Sequence, residues 1–289
     1  MRTSFQFQFQ LSRATRLGLG LAGVCAALVL ASGCAGRPEA PIIELQQGPI
    51  AAQTAARLDA LLPADVLLVG EQHDAAEHQH IEQEVISALA ARGLLVAVAL
   101  EMADAGASTA ALKPSATEEQ VRRALQWDHK GWPWRAYGPV VMTAVRAGVP
   151  VLGGNLPRAD MSATMADSRY DTRLSGPALK AQQQKIRLGH CLLLPEQQIT
   201  PMTRIQIAKD ISMAHTLEQL AVPGKTVVLL TGNGHADRLL GVPQHLQADL
   251  KAKSIHLRAQ DSTGSSTDSA EAFDAVWATP AVAQKDYCA

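Results

Sequence analysis

The chain has 289 residues, with 26 Lys and Arg against 27 Asp and Glu, a formal net charge of −1 and 47% hydrophobic residues. That near-neutral balance gives no global field for nucleic acid, and no dense Lys/Arg run supplies a local one. The length and apolar content suit one large domain with a sizeable core.

Arg2, Arg13 and Arg16 form a basic start, followed by an apolar run from Leu17 to Leu30 that is too short for a comfortable membrane span. The run ends in Leu30-Ala31-Ser32-Gly33-Cys34. Small residues before a cysteine resemble the lipobox of bacterial lipoproteins. The resemblance implies a signal peptide over 1–33 and a lipid on Cys34. Ala35, where an Asp would retain the protein in the inner membrane, implies the outer membrane, periplasmic face. Residues 34–48 read as a tether, and 49–289 as a single domain. Cys25 leaves with the signal and Cys34 carries lipid. Cys191 and Cys288 then remain as an even pair in an exported protein, which predicts a disulfide between them. Closing a loop of roughly a hundred residues is worth at most about 4–5 kcal/mol in the chain-entropy model.

After a partly helical entry over 45–62, Val66–Val69 reads as the first strand. Ala75–Arg92 is a predicted helix, with Ile81, Val85, Ile86 and Leu89 on one face and Gly93 closing it. Leu94–Leu100 is the second strand and runs into Glu101. Strand, helix, strand is how a parallel sheet begins. Thr117–Trp127 is a helix with a Thr117/Gln120 capping pattern, and Pro139–Ala147 is another. Gly148–Leu152 is the third strand. Residues 156–220 are poor in strand signals and read as a helical insertion. Val227–Leu230, Ser254–Arg258 and Phe273–Trp277 complete the strands, the last at an edge, after a Ser/Thr-rich loop over 261–270. The expected fold is α/β: a mostly parallel central sheet flanked by helices, with the insertion covering the carboxyl edge of the strands.

A Gly-x-x-His pattern follows two of these strands, as Gly70-Glu71-Gln72-His73 and as Gly232-Asn233-Gly234-His235. In open α/β sheets ligands bind outside the carboxyl ends of the strands. Glu71 and His73, Glu101, Asn155, and His235 with Asp237 would then share one edge. Glu71, His73, Glu101 and His235 could hold a divalent metal, act as a proton-transfer set, or anchor an iron-porphyrin. His78 could face the same cleft, whereas His80 points into solvent. Three of the four Trp and one of the three Tyr fall between Trp127 and Tyr137, beside His129, Lys130, Pro133 and Arg135. Flat aromatic surface next to cations suits a planar amphipathic ligand bearing carboxylates, or a local mini-core. Gln206, Asp210 and Met213 share one helix face, and polar residues on such a stripe suggest a cleft lining.

Several of these pieces together resemble the ChaN-like haem-binding lipoprotein family. They are Gly70–Asp74, Gly131-Trp132-Pro133 with Tyr137, Gly153–Arg158, His190-Cys191, Thr231–His235 with Gly241-Val242-Pro243, and Asp286-Tyr287-Cys288. Ala75-Ala76 stands where Asn-Pro is more usual in the family, and Leu192 where a glycine is. The resemblance implies an exported α/β lipoprotein that binds haem between two protomers, with a tyrosine on the iron. Tyr137 is favoured, ahead of Tyr170 and Tyr287. Trp134 belongs to the aromatic wall, and Lys130 or Arg135 with a histidine such as His190 would suit the propionates. The scaffold also resembles Tiki-type metalloproteases and erythromycin esterases. That resemblance reaches only Glu71, His73, Glu101 and His235, and implies a metal-dependent or acid/base hydrolase.

Overall fold

The computed structural model describes residues 49–260, 270–283, 285 and 288. The signal peptide, Cys34, the tether, most of the Ser/Thr-rich loop and Tyr287 lie outside the described residues.

Six strands form one sheet: β1 (Val66–Glu71), β2 (Leu95–Asp104), β3 (Val151–Asn155), β4 (Thr226–Gly232), β5 (Ala252–Ala259) and β6 (Ala275–Thr279). Their spatial order is β3-β2-β4-β1-β5-β6, and every pairing is parallel. β6 is an edge strand, as expected. β1 and β4 are buried at every position, which explains why both read as continuous apolar runs rather than alternating ones.

The period-2 geometry of strands divides their side chains between two cores. Leu67, Val69, Val98, Leu100, Val228 and Leu230 face one layer. There they meet Ile81, Val85 and Leu89 of helix α2 (Ala76–Ala91), after α1 (Pro49–Asp59), with Val141 and Val145 from further along the chain. Val66, Leu68, Ala97, Ala99, Val227 and Leu229 face the other layer, against Met213 and Leu217. Helix α3 (Glu118–Ala124) carries the expected capping box at Thr117 and Gln120. Helix α4 spans Trp134–Arg146 and so begins five residues before the expected Pro139, which sits inside it. Proline removes one helical hydrogen bond, but here it lies on the exposed side, while Tyr137, Val140, Val141 and Val145 are buried.

The insertion between β3 and β4 contains α5 (Met161–Ala166), α6 (Gly176–Gly189) and the long α7 (Glu196–Leu220). Met213 and Leu217 of α7 pack on the sheet, while Gln206 reaches the carboxyl edge of the strands. Helix α8 (Asn233–Ala236) directly follows β4. Cys191 and Cys288 form a disulfide with Cα atoms 5.5 Å apart, closing 97 residues. Among the described residues no helix is long and apolar enough to cross a membrane.

Candidate functional site

The register of β1 against β4 places Gly70 beside Thr231 and Glu71 beside Gly232. The two Gly-x-x-His segments therefore leave the sheet side by side. Both glycines are needed for that approach. A Cβ on Gly232 would stand 2.9 Å from His73 Nε2, and one on Gly70 would stand 2.8 Å from Asn233 Oδ1. Between them opens a cleft of about 920 Å³, within the usual span of small-molecule sites. His73, Glu101, Trp132, Arg135, Tyr137 and His235 contribute to its lining.

Glu71 is the hub of one half. Its Oε1 accepts the Tyr137 hydroxyl at 2.7 Å and His73 Nδ1–H at 2.8 Å, and its Oε2 accepts the Gln79 amide. Trp132 meets His73 edge-on, with ring centroids 4.9 Å apart. Burial opposes a charge on His73, but the Glu71 bond and the nearby Glu101 and Glu71 carboxylates outweigh it and raise its pKa. Burial and the Glu71 charge push the Tyr137 phenol far above its ordinary value.

Glu101 is the hub of the other half. Its Oε2 accepts the Thr231 hydroxyl and the Gly232 N–H, both at 2.8 Å. Its Oε1 lies 3.3 Å from His235 Nε2, and His235 Nδ1–H donates to Asp210 at 2.5 Å. Burial works against the imidazolium, yet Glu101 and Asp210 together push His235 up to about 10. Burial lifts Asp210 to about 6 against the pull of His235, and the His235 charge overcomes burial to hold Glu101 well below the carboxylate range. His73 Nε2 lies 3.9 Å from Glu101 Oε2, so one carboxylate faces both imidazoles.

Sequence reasoning brings Glu71, His73, Glu101 and His235 to one edge, and the structure places them within hydrogen-bonding reach of a common pair of carboxylates. Asn155 supports Glu101 by donating to its backbone carbonyl at 2.8 Å. Asp237 turns to Lys185 at 2.7 Å. His78 does not face the cleft. It is fully buried, accepts the Gln72 N–H at Nδ1 and bonds Thr279 through Nε2, pinning the β1–α2 turn to β6. Arg135 lines the cleft, but Lys130, Trp134, Tyr170 and His190 are not among its lining residues. Trp134 instead donates to Glu118 at 2.8 Å and meets Trp127 edge-on, and His190 bonds the Ile186 carbonyl at 2.8 Å. The metal expectation finds no matching geometry. Among the described residues no group of three or more His, Cys, Asp or Glu could hold a metal ion. In this arrangement the acids and imidazoles are instead bonded to one another, His73 to Glu71 and His235 to Asp210.

Gln79, Glu82 and Lys285 were missed. Gln79 and Glu82 fall on the same stripe of α2 as Ile86 and Leu89, and polar residues on an apolar stripe are the signal that could have found them. Glu82 is fully buried, neither of its oxygens has a partner, and burial followed by the Glu71 charge raises its pKa well above the usual range. Lys285 reaches the cleft from the C-terminal segment, and nothing local in sequence marks it.

Residues 57–246 match the family described as "Haem-binding uptake, Tiki superfamily, ChaN". The chain belongs to this family. A solved ChaN structure, "Cofacial heme binding to ChaN of Campylobacter jejuni", is 27% identical with a TM-score of 0.59 and covers 70% of this chain and 85% of that one. The type III effector HopBA1 is 18% identical with a TM-score of 0.48, covering 85% of this chain and 99% of that one. RRSP, a MARTX toxin effector domain from Vibrio vulnificus, is 15% identical with a TM-score of 0.41, covering 71% of this chain and 35% of that one. No curated protein matches this chain. The parallel sheet and flanking helices are thus those of a ChaN-family protein.

Proposed function

We propose that this ChaN-family protein binds haem at the strand-end cleft and handles it in the periplasm, as a lipoprotein anchored through Cys34 in the outer membrane. The observation that carries the reading is the composition of the cleft within the family-matched region. Trp132 and Pro133 offer apolar surface for a flat ring, and Arg135 and Lys285 supply cations for propionates. The residues present fit the body and the acid groups of haem. Bound haem would supply an iron that takes an oxygen or nitrogen ligand. Tyr137 is 1% exposed and its hydroxyl serves Glu71, so it reaches iron only by giving up that bond. His73, with its side chain 40% exposed, and Tyr287, two residues beyond Lys285 in sequence, are therefore compared with it, together with Tyr170. The Campylobacter relative, described as binding haem cofacially, supports a pair of chains around haem as the proposed assembly.

The test is a haemin titration of the mature chain followed by absorption spectroscopy. A saturable shift supports the reading. A phenolate-to-iron band that one Tyr→Phe variant abolishes identifies the ligand. Absence of any saturable shift overturns it.

A second reading, an acid/base hydrolase, is favoured by one observation: a low-pKa Glu101 held between two imidazoles, with Asp210 behind His235. Hydrolysis of ester or peptide substrates without haem, lost in both Glu101→Gln and His235→Ala, would establish it.

A further inference from the structure

The α6–α7 hairpin ends in an apolar tip that the cleft does not use. Of the large hydrophobic residues described as exposed, three cluster here: Leu188 at 48%, Leu192 at 66% and Leu193 at 77%. The tip is a built shape rather than a loose loop. The Cys191 N–H donates to Leu188 O at 2.9 Å, Leu192 N–H to Arg187 O at 2.9 Å, and Leu193 N–H to His190 O at 3.0 Å. The disulfide to Cys288 is made within it. Cys191 and Leu192 both have φ of +59°, the left-handed region that disfavours any side chain with a Cβ. A leucine held in that conformation and turned into solvent gains nothing from packing within its own chain. Such local cost points to a contact outside it.

Charge narrows the occupant. Among the described residues here, Glu196 pairs with Arg187 across the neck of the hairpin and Asp237 with Lys185, so neither of these carboxylates is left to repel an anionic surface. The chain length narrows it further. Only residues 35–48 separate Cys34 from α1. At about 3.3–3.6 Å per residue, that segment holds the domain within about 50 Å of its anchor. At that distance the lipid surface is present at high effective concentration, and a few leucines suffice for shallow insertion.

We propose that Leu188, Leu192 and Leu193 dip into the lipid surface that holds Cys34 and so fix the orientation of the domain on it. This rests on the lipid-anchor reading and adds a second, reversible contact.

The test is hydrogen exchange of the full acylated protein on phosphatidylethanolamine/phosphatidylglycerol vesicles, against the Cys34→Ala chain in solution. Exchange over 188–195 is expected to slow by roughly tenfold on vesicles, the effect of burying a leucine. Leu192→Asp/Leu193→Asp should lose that protection while keeping the unfolding midpoint. Acylated, vesicle-bound protein with unchanged exchange at the tip overturns the inference and leaves the anchor intact. Protection that grows with protein concentration without vesicles overturns it in favour of a second copy of the chain. An intact mass without lipid at Cys34 overturns the anchor reading. In that case failure of the chain alone to float with vesicles overturns the tip contact as well.

Discussion

His73 and His235 come from the same four-residue pattern at the ends of adjacent strands and both are raised toward the protonated form, yet they differ in how firmly they are held. His73 has one firm partner, Glu71, and its side chain is 40% exposed. His235 is enclosed by Glu101 and Asp210 with its side chain 8% exposed. The difference lies in what α7 brings. Asp210 is fully buried on α7 and bonds His235, and Gln206 stands beside the same ring, 3.1 Å from Nδ1. The insertion thus turns one copy of the motif into a fixed cation and leaves the other adaptable. Two identical motifs at one sheet edge teach little about role until the number of acids facing each ring is counted.

The largest expected effect follows from removing the fixed cation. His235→Ala leaves Glu101 and Asp210 buried without their counter-charge and should cost about 3–5 kcal/mol in urea unfolding. His73→Ala, with one partner and an exposed ring, should cost clearly less. Equal losses would erase the distinction between the two rings. The pH dependence carries the same sign. His235 is raised from 6.5 to about 10, so its stabilisation is complete below pH 6.5 and fades as pH rises through about 10. Asp210, raised from 3.8 to about 6, also makes stability fall as pH rises, but in the lower window between those two values, so the two effects are separable. Wild-type stability should fall between pH 6.5 and 10, and His235→Ala should flatten that decline.

Much of this was legible in the chain. The six strands follow from β-branched runs ended by Gly or polar residues, and the edge position of β6 from its late, isolated run. Register was not legible. Nothing in either Gly-x-x-His segment says that β4 lies beside β1, because parallel pairing is decided by long-range packing rather than local pattern. Tyr137 was legible as a site residue but not in its role. Its place in an aromatic cluster suggests a surface for a ligand, while the partner that defines it, Glu71, is 66 residues away. His78 misled because its distance from His73 along the helix fits the cleft. The acceptor it provides for the Gln72 N–H turns it the other way.

The open half can be sharpened through Tyr137. Its hydroxyl and His73 Nδ1–H share a single Glu71 oxygen. Tyr137→Phe should cost about 1.5–3 kcal/mol, the range for a hydrogen bond to a charged group. It should also raise the His73 pKa further, since the carboxylate then answers to fewer donors. Glu71→Gln should move His73 the other way, because burial alone lowers an imidazole pKa. NMR titration of the His73 ring reads both. If Tyr137→Phe left the titration unchanged, the shared oxygen would not be what couples the two groups.

The smallest expected effect concerns the acid beneath the open half. Glu82 is fully buried with no partner and is raised by burial and then by Glu71. An acid whose folded pKa lies above its unfolded one costs stability above the unfolded value, and the cost grows with pH until the folded value is passed. His235 has no counterpart to this below pH 6.5, where its contribution is constant. Between about pH 4.5 and 6 the response of that half comes from Asp210 and not from the ring, and Asp210 and Glu82 both weaken the fold as pH rises. Glu82→Leu should stabilise the protein by about 1–2 kcal/mol at neutral pH, because an apolar side chain replaces an unsatisfied acid in an apolar layer. The gain should shrink as pH falls toward 4.5, where the unfolded chain also holds the proton. A gain independent of pH would mean that packing, not the proton, is what Glu82 costs.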